Sequence, residues 1–441
     1  MNVARINFSH ATKEEKEGVV AAVKEVRKRT GKNVAILYDT KGPEFRTGMM
    51  QEGGVKLEEG KLIRIVKDDI IGTEEAFTVN YPLALNSINV DDTVLLENGL
   101  MELKVVSKEE DGVTCHIMNG GVLGNKKSMN VPGVLLDMPF ISDTDREDII
   151  YACQHEADFL ALSFVSSKED VLEAREILKQ ENREDLKIIS KIESAKGIEN
   201  LDEIISVSDG IMVARGDLGV EIPMEELPAY QSIMIKKCRE REKFCIVATE
   251  MLASMYTSSR PTRAEVSDIY NAVLNGTDAV MLSGETTIGK YPVEAVSYMA
   301  NICESAEAHY DYDKRFNFKE EVDVTETIAA AVVKASEVLD CKLVVVATMS
   351  GKTAKKISNL KPKAITLTLC TSEEVARSLA LNWGVYPIVV PVYDSTDQLV
   401  KASLEKAKEF IHLEHGDKVI ITGGFLTGAG TSTNFMKIEE L

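Results

Sequence analysis

No uninterrupted apolar run in this chain approaches the roughly 20 residues that a bilayer-spanning helix needs, which excludes a membrane-spanning helical protein and leaves no membrane partner to expect. Positive charge is scarce: 51 Lys and Arg stand against 71 Asp and Glu, a net charge of −20. A surface of that sign repels phosphate backbones, so nucleic acid is not an expected partner, and anions can bind only where cations or metals are focused locally. The seven cysteines, at 115, 153, 238, 245, 303, 341 and 370, are odd in number and form no C-x-x-C pair. That argues against a disulfide framework and suits buried thiols in a reducing cytosol. No basic-then-apolar leader opens the sequence as written, and the expected location is cytoplasmic.

What is present is a recurring unit. Apolar, β-branched runs end in polar residues and are followed by helical patterns: Val3–Ser9, Asn33–Thr40, Asp158–Val165, Lys187–Glu193, Gly210–Gly219, Phe244–Met251 and Asp278–Gly284. Apolar runs alternating with helices predict a parallel sheet covered on both faces. Polar residues gathered at the C-terminal ends of successive strands predict an α/β fold of the (β/α)8 TIM-barrel type. Seven strands are legible, and the first lies almost at Met1, so the expectation is a barrel whose first strand is missing from this chain. An opened barrel exposes two sheet edges.

Short alternating segments rich in glycine (KLIRIVKDD, TVLLENGLMELKVV, GVTCHIMNGG) interrupt the barrel pattern after its second run and predict an inserted β domain on the functional face. Beyond about residue 312 the pattern changes to a separate open α/β domain, with a helix over Glu326–Leu339 and strands at Lys342–Ala347, Ala364–Leu369, Pro387–Val392 and Lys418–Thr422. The expected division is therefore barrel over 1–42, β lid over 43–140, barrel again over 141–312 and C-terminal α/β domain over 313–441. The SGKT at Ser350–Thr353 is not a Walker A loop, because Val346 stands where that motif needs glycine. A strand, a Ser/Thr/Gly turn and a helix start can still hold phosphate through backbone N–H groups, or serve only as a helix cap.

Several groups at the strand ends carry chemistry. Lys191 and Glu193 lie two apart on one strand and so point to one side. Glu193 and Asp217 are hard oxygen donors on neighbouring elements, suited to a divalent metal or to an ion-pair network with Lys191 and Arg215. Lys191 could form a Schiff base or act as a fixed cation beside a developing oxyanion. Gly216 lets backbone amides approach a carboxylate. Arg5 offers a planar fork to phosphate. Asn7, Ser9, Asp39 and Thr40 offer oxygens that could cage a monovalent cation. His10 reads as a loop histidine.

Segments along the whole chain resemble the pyruvate kinase family: MNVARINFSHA (Met1–Ala11), DTKGPEFRT (Asp39–Thr47), ISKIES (Ile189–Ser194), MVARGDLGVEIP (Met212–Pro223), ATEMLASM (Ala248–Met255), PTRAEVSDIYNAVLNGTDAVMLSGET (Pro261–Thr286), TMSGKTA (Thr348–Ala354), NWGVYP (Asn382–Pro387) and GTSTN (Gly430–Asn434). The resemblance implies phosphoryl transfer from phosphoenolpyruvate to ADP, giving pyruvate and ATP in glycolysis. It implies Mg2+ (or Mn2+) on Glu193 and Asp217, and K+ on Asn7, Ser9, Asp39 and Thr40, with Glu44 marking K+ dependence. Lys191, Arg5 and Thr249 become catalytic residues, and Gly216 and Asp217 join them in holding the substrate. Asn7, His10 and Arg46 fall at nucleotide positions. Thr348, Ser350, Gly351, Lys352 and Thr353 fall on a loop for a sugar-phosphate or nucleotide effector, and a homotetramer is implied. Ser166, Ser194 and Ser232 depart from the residues common in the family, as does Glu97–Asn98 in the lid, without removing any metal or phosphate group. The rival expectations are a non-catalytic truncated homologue that binds sugar phosphate or partners, and a metal-dependent lyase on the same barrel.

Overall fold

The computed structural model describes residues 1–9, 12–312, 323–424 and 433–441; His10 and the first residues of the GTSTN segment lie outside them. Seven strands, Val3–Asn7, Ala35–Asp39, Phe159–Leu162, Lys187–Ile192, Gly210–Ala214, Phe244–Ala248 and Ala279–Val280, pair side by side in chain order, each neighbour parallel. Period-two alternation divides their side chains between two cores. Ala35, Leu37, Phe159, Ile189, Met212 and Ile246 form one interior cluster, to which Leu381 of the C-terminal region adds a plug. Ile36, Leu160, Ile188, Ile211 and Val247 face the surrounding helices. Strands far apart in the order share that interior cluster only if the sheet curls, as a barrel does.

Helices start where the barrel needs them because capping boxes fix their first turns: Thr12 with Glu15, Ser142 with Asp145, Ser167 with Asp170 and Thr262 with Glu265. All four lie beyond the C-terminal ends of strands, so each box also sets the length of a loop at the functional face.

Between Asp39 and the helix Asp143–Gln154, a six-stranded sheet carries the pairs Thr93–Leu96 with Met101–Glu109, and Gly112–Asn119 with both Met101–Glu109 and Leu62–Val66. Its alternating strands bury one face around Ile63, Phe77, Leu103 and Cys115. The C-terminal sheet is ordered Val385–Val389, Ile365–Cys370, Leu343–Thr348, Lys418–Gly423 and Phe435–Glu440.

Three expectations are corrected. The run Gly210–Gly219 is a strand only to Ala214; Arg215–Glu221 is helical, so Asp217 sits in a first helical turn and not on a strand tip. The C-terminal sheet has a fifth, antiparallel strand, Phe435–Glu440, whose polar, half-exposed sequence hid it. The strand expected over Pro387–Val392 runs over Val385–Val389, with Pro387 tolerated inside it because this strand forms the sheet edge.

A repeated device closes the face of the barrel opposite the loops. Asp158, Asp209 and Asp278 each precede a strand and accept a backbone N–H of the preceding strand in the sheet, from Ile36 at 2.8 Å, Ile188 at 3.0 Å and Cys245 at 2.9 Å. Two of them also receive cations of the C-terminal region: Arg377 Nε reaches Asp158 at 2.8 Å and Lys361 Nζ pairs with Asp278. Near the third, Lys355 has no such pairing among the described residues. Burial, with Lys187 and Lys243 against Asp209, pushes it down to about 8. Its folded value lies below its unfolded value, so at pH 7 the native state bears the full cost of charging it, and stability rises as pH passes from 8 to 10.5. Lys355→Met is expected to raise the thermal midpoint at pH 7 and to lose that advantage across the same window. An unchanged midpoint at pH 7 would mean that the ammonium is well solvated.

Candidate active site

The strand ends converge on a cleft of about 1070 Å³ lined by the barrel's Arg5, Thr40, Lys191, Glu193, Asp217 and Thr249 and, from the insert, by Arg46, Lys127 and Asn130. At its floor lies a buried charge network. Lys191 Nζ is 3.0 Å from Glu193 Oε1 and 3.1 Å from Asp39 Oδ1, and donates to Ser163 Oγ at 2.8 Å. Arg5 Nε donates to Asp39 Oδ2 at 2.6 Å. Asp39 would be raised by its burial, but Lys191 and Arg5 outweigh that and hold it below the usual carboxylate range. Lys191 is held above its ordinary value: burial works against the charge, and Asp39 and Glu193 overcome it. An ammonium fixed in the charged state is no Schiff-base nucleophile, because imine formation needs the free amine.

Glu193 differs. Burial raises it to about 7; Lys191 opposes the rise, and Asp217 and Asp39 add to it. Its Oε2 accepts the N–H of Phe164 at 2.7 Å, delivered by a backbone at φ +57. A bulky residue in the left-handed region is held there only by its surroundings. Asp217 makes no hydrogen bond or ion pair among the described residues. A buried carboxylate with excess negative charge beside an unpartnered one is a donor set that fits a divalent cation. Among the described residues no cluster of three His, Cys, Asp or Glu forms a fuller cage, and Mg2+ commonly takes only one or two protein carboxylates.

Arg215 does not join this network, contrary to the ion-pair alternative. Its guanidinium reaches Asp268 Oδ2 at 2.6 Å and the Thr249 carbonyl at 2.6 Å, tying the helix start to the next loop. That loop is strained: Thr249 and Glu250 have φ of 68° and 53°. Thr249 Oγ1 accepts the N–H of Gly216 at 2.8 Å and donates to the Ala248 carbonyl at 2.7 Å. The hydroxyl and amide expected at the substrate carboxylate are therefore adjacent.

For the monovalent-cation set, Asn7 and Asp39 sit opposite each other in register. Ser9 follows the strand end, its N–H on Asn7 Oδ1 at 2.9 Å. Two of the roughly four lone pairs of Asp39 are taken, by Arg5 and Lys191; Ser163 Oγ lies 3.2 Å from Oδ1, but its single proton has a shorter path to the Thr40 carbonyl at 2.7 Å, which leaves room on Asp39 for a cation. Arg46 is gripped by Glu44 through two bonds of 2.9 and 2.8 Å. In the C-terminal turn Gly351 stands at φ +80 and donates to Thr348 Oγ1 at 2.9 Å. Lys352 reaches Asp323 at 3.3 Å, Thr353 bonds Thr433, and Ser350 is exposed.

Two participants were not singled out in the sequence. Ser163, known only as a polar strand end, is the hydroxyl on which Lys191 rests. Glu221 accepts from Asn130 of the insert at 3.0 Å; its signal was its place four residues after Asp217, on the same helical face.

Comparison with known proteins agrees with this geometry. Residues 1–296 match the family described as "Pyruvate kinase, barrel domain" and residues 326–439 match "Pyruvate kinase, alpha/beta domain". The chain is 44% identical to the pyruvate kinase of Geobacillus stearothermophilus, covering 100% of this chain and 76% of that one. It is 41% identical to the pyruvate kinase of Clostridium acetobutylicum, covering 100% and 94%. A crystal structure of a pyruvate kinase from Cryptosporidium parvum superposes with a TM-score of 0.94 at 38% identity, covering 100% of this chain and 91% of that one. With both halves of its fold matched and its full length aligned, this chain belongs to the pyruvate kinase family of phosphotransferases.

Proposed function

We propose that the chain transfers the phosphoryl group of phosphoenolpyruvate to ADP, and that the Lys191 network is the centre of that reaction. The observation that supports it is a permanently charged, nearly buried ammonium on the floor of a cleft, beside a two-carboxylate metal site. The bond between phosphorus and the enol oxygen breaks as a bond forms to the terminal oxygen of ADP, and the enolate left behind takes a proton at carbon to become pyruvate. Such a transfer needs positioning and neutralisation more than covalent help. Lys191 meets the enolate oxygen and the moving phosphoryl group. Among the described residues Arg5 has only its Nε engaged, with Asp39, and it turns its terminal nitrogens to the phosphate. The Gly216 and Asp217 amides, with the Thr249 hydroxyl, hold the substrate carboxylate, Gly216 and Thr249 exchanging their present bonds to each other and to the Ala248 carbonyl for it, and Thr249 orders the water chain that delivers the proton.

Glu193 and Asp217 hold Mg2+ or Mn2+, which supplies positive charge to the phosphoryl oxygens when bound. Asn7, Ser9, Asp39 and Thr40 hold K+, and Glu44 makes the enzyme depend on it. Arg46 meets the nucleotide phosphates, Asn7 lies beside them, and His10 belongs with this set by its position in the family pattern. The insert closes over ADP as a lid and expels water. The Thr348–Thr353 turn takes a sugar-phosphate or nucleotide effector, and the assembly is a homotetramer in the cytoplasm.

A lactate-dehydrogenase-coupled assay with phosphoenolpyruvate, ADP, Mg2+ and K+ is expected to show turnover that vanishes without ADP. No turnover would leave a non-catalytic binding protein, and carbon–carbon cleavage without nucleotide would favour a lyase.

A further inference from the structure

The insert leaves and rejoins the barrel through two crossings, and one barrel carboxylate grips each. On the outgoing side, buried Asp145 accepts the N–H of Gly42 at 2.9 Å while its other oxygen bonds Ser142. Gly42 stands at φ +71, where an added Cβ would lie 2.8 Å from Ser163 Cβ. This crossing has no room to turn. On the returning side, Glu221 accepts from Asn130 Nδ2 at 3.0 Å, and the backbone of Gly133 lies near enough to favour its charged form. Gly133 stands at φ +78 with open space around it. That is the kind of position that absorbs a backbone rotation. All three line the cleft.

Glu221 closes the helix Arg215–Glu221, whose first turn carries Asp217. Two unrelated functions therefore share about ten ångströms of helix: one end presents a metal carboxylate, the other holds the insert.

We propose that Glu221 is a positioning residue of the insert's pivot: it fastens the returning crossing at Asn130, three residues before Gly133, to the helix that carries Asp217, so that closure over the nucleotide and the placing of that carboxylate are one motion. This rests on the reading of the insert as a nucleotide lid. Loss of the anchor leaves the closed position less populated, and apparent affinity falls with the closed fraction. The first substrate affected is the one the lid covers.

In the full-length enzyme, Glu221→Ala is expected to raise KM for ADP about tenfold and to leave KM for phosphoenolpyruvate within about twofold. Asn130→Ala should act in the same direction but less. The double variant should be no worse than Glu221→Ala, because both substitutions remove one contact. A role confined to folding would lower the thermal midpoint and leave the ratio of the two KM values unchanged; that result, or full additivity, would overturn the proposal.

A second measurement does not depend on turnover. Fluorophores on Leu83→Cys in the insert and Val293→Cys on the barrel, both exposed positions, with Cys303→Ser, should approach each other on adding ADP. Glu221→Ala should raise the ADP concentration that brings the approach about tenfold, in step with KM. An inactive wild type that still shows the approach, shifted in this way in the variant, would remove the phosphoryl-transfer reading and keep the pivot. An approach at the same ADP concentration in the variant, or one missing from the wild type, would remove the pivot.

Discussion

Lys191→Met is expected to lower kcat by about 10³-fold or more, the scale seen when a single cation or oxyanion donor at a phosphoryl or acyl transfer centre is removed. Divalent-metal binding should survive. Lys191 touches Glu193 Oε1 at 3.0 Å, so its charge competes with any cation placed on that carboxylate; deleting the ammonium leaves both carboxylates proposed for the metal in place and removes a repelling neighbour. Mn2+ affinity, read by calorimetry on the nucleotide-free protein, should be unchanged or tighter. Asp217→Asn reverses the pattern: it removes an unpartnered charged ligand and should weaken Mn2+ binding about tenfold to hundredfold while Lys191 stays in place. Equal loss of metal affinity in the two variants would show that ammonium and carboxylates do not divide the work in this way.

Lys361→Met is expected to destabilise the protein by about 3–5 kcal/mol, the scale for removing one partner of a buried ion pair. Lys361 is 1% exposed and pairs with Asp278, which also accepts the N–H of Cys245. Without the ammonium, a carboxylate inside the interface between barrel and C-terminal sheet loses its only ion pair among the described residues. Lys361→Met with Asp278→Asn should recover at least half of the loss, because the amide keeps an acceptor for Cys245 and carries no charge. The chain's single tryptophan reports the event: the Lys361 Nζ lies 5.0 Å from the Trp383 ring. Urea unfolding followed by Trp383 fluorescence should show an early transition in the single variant. A cost below about 1 kcal/mol, the range of a solvated surface pair, would mean that the pair does not dock the two parts.

The barrel strands were legible because their apolar runs are buried on both faces and end in polar residues. The insert was legible because its strands alternate, as over Met101–Val105 before the irregularity at Val106. The end of the Gly210 run was not: glycines at 216 and 219 mask a helix, and only the bonds of Arg215 to the next loop show that the chain turns at Ala214. The strand Phe435–Glu440 escaped because it pairs along an edge and buries little.

From its order of residues alone, this chain declared a curled parallel sheet with an insert, and which side chains stand at the functional ends of the strands, because burial enforces periodicity and chemistry sits where periodicity stops. Only the tertiary structure decided their states: that Asp39 and Glu193 favour the charged form of Lys191, that Arg215 is spent on Asp268, and that the Asp217 carboxylate is left without a partner among the described residues. Those outcomes depend on distances between groups up to 152 residues apart in the chain, and electrostatic energy follows distance and burial, neither of which is written in the local sequence.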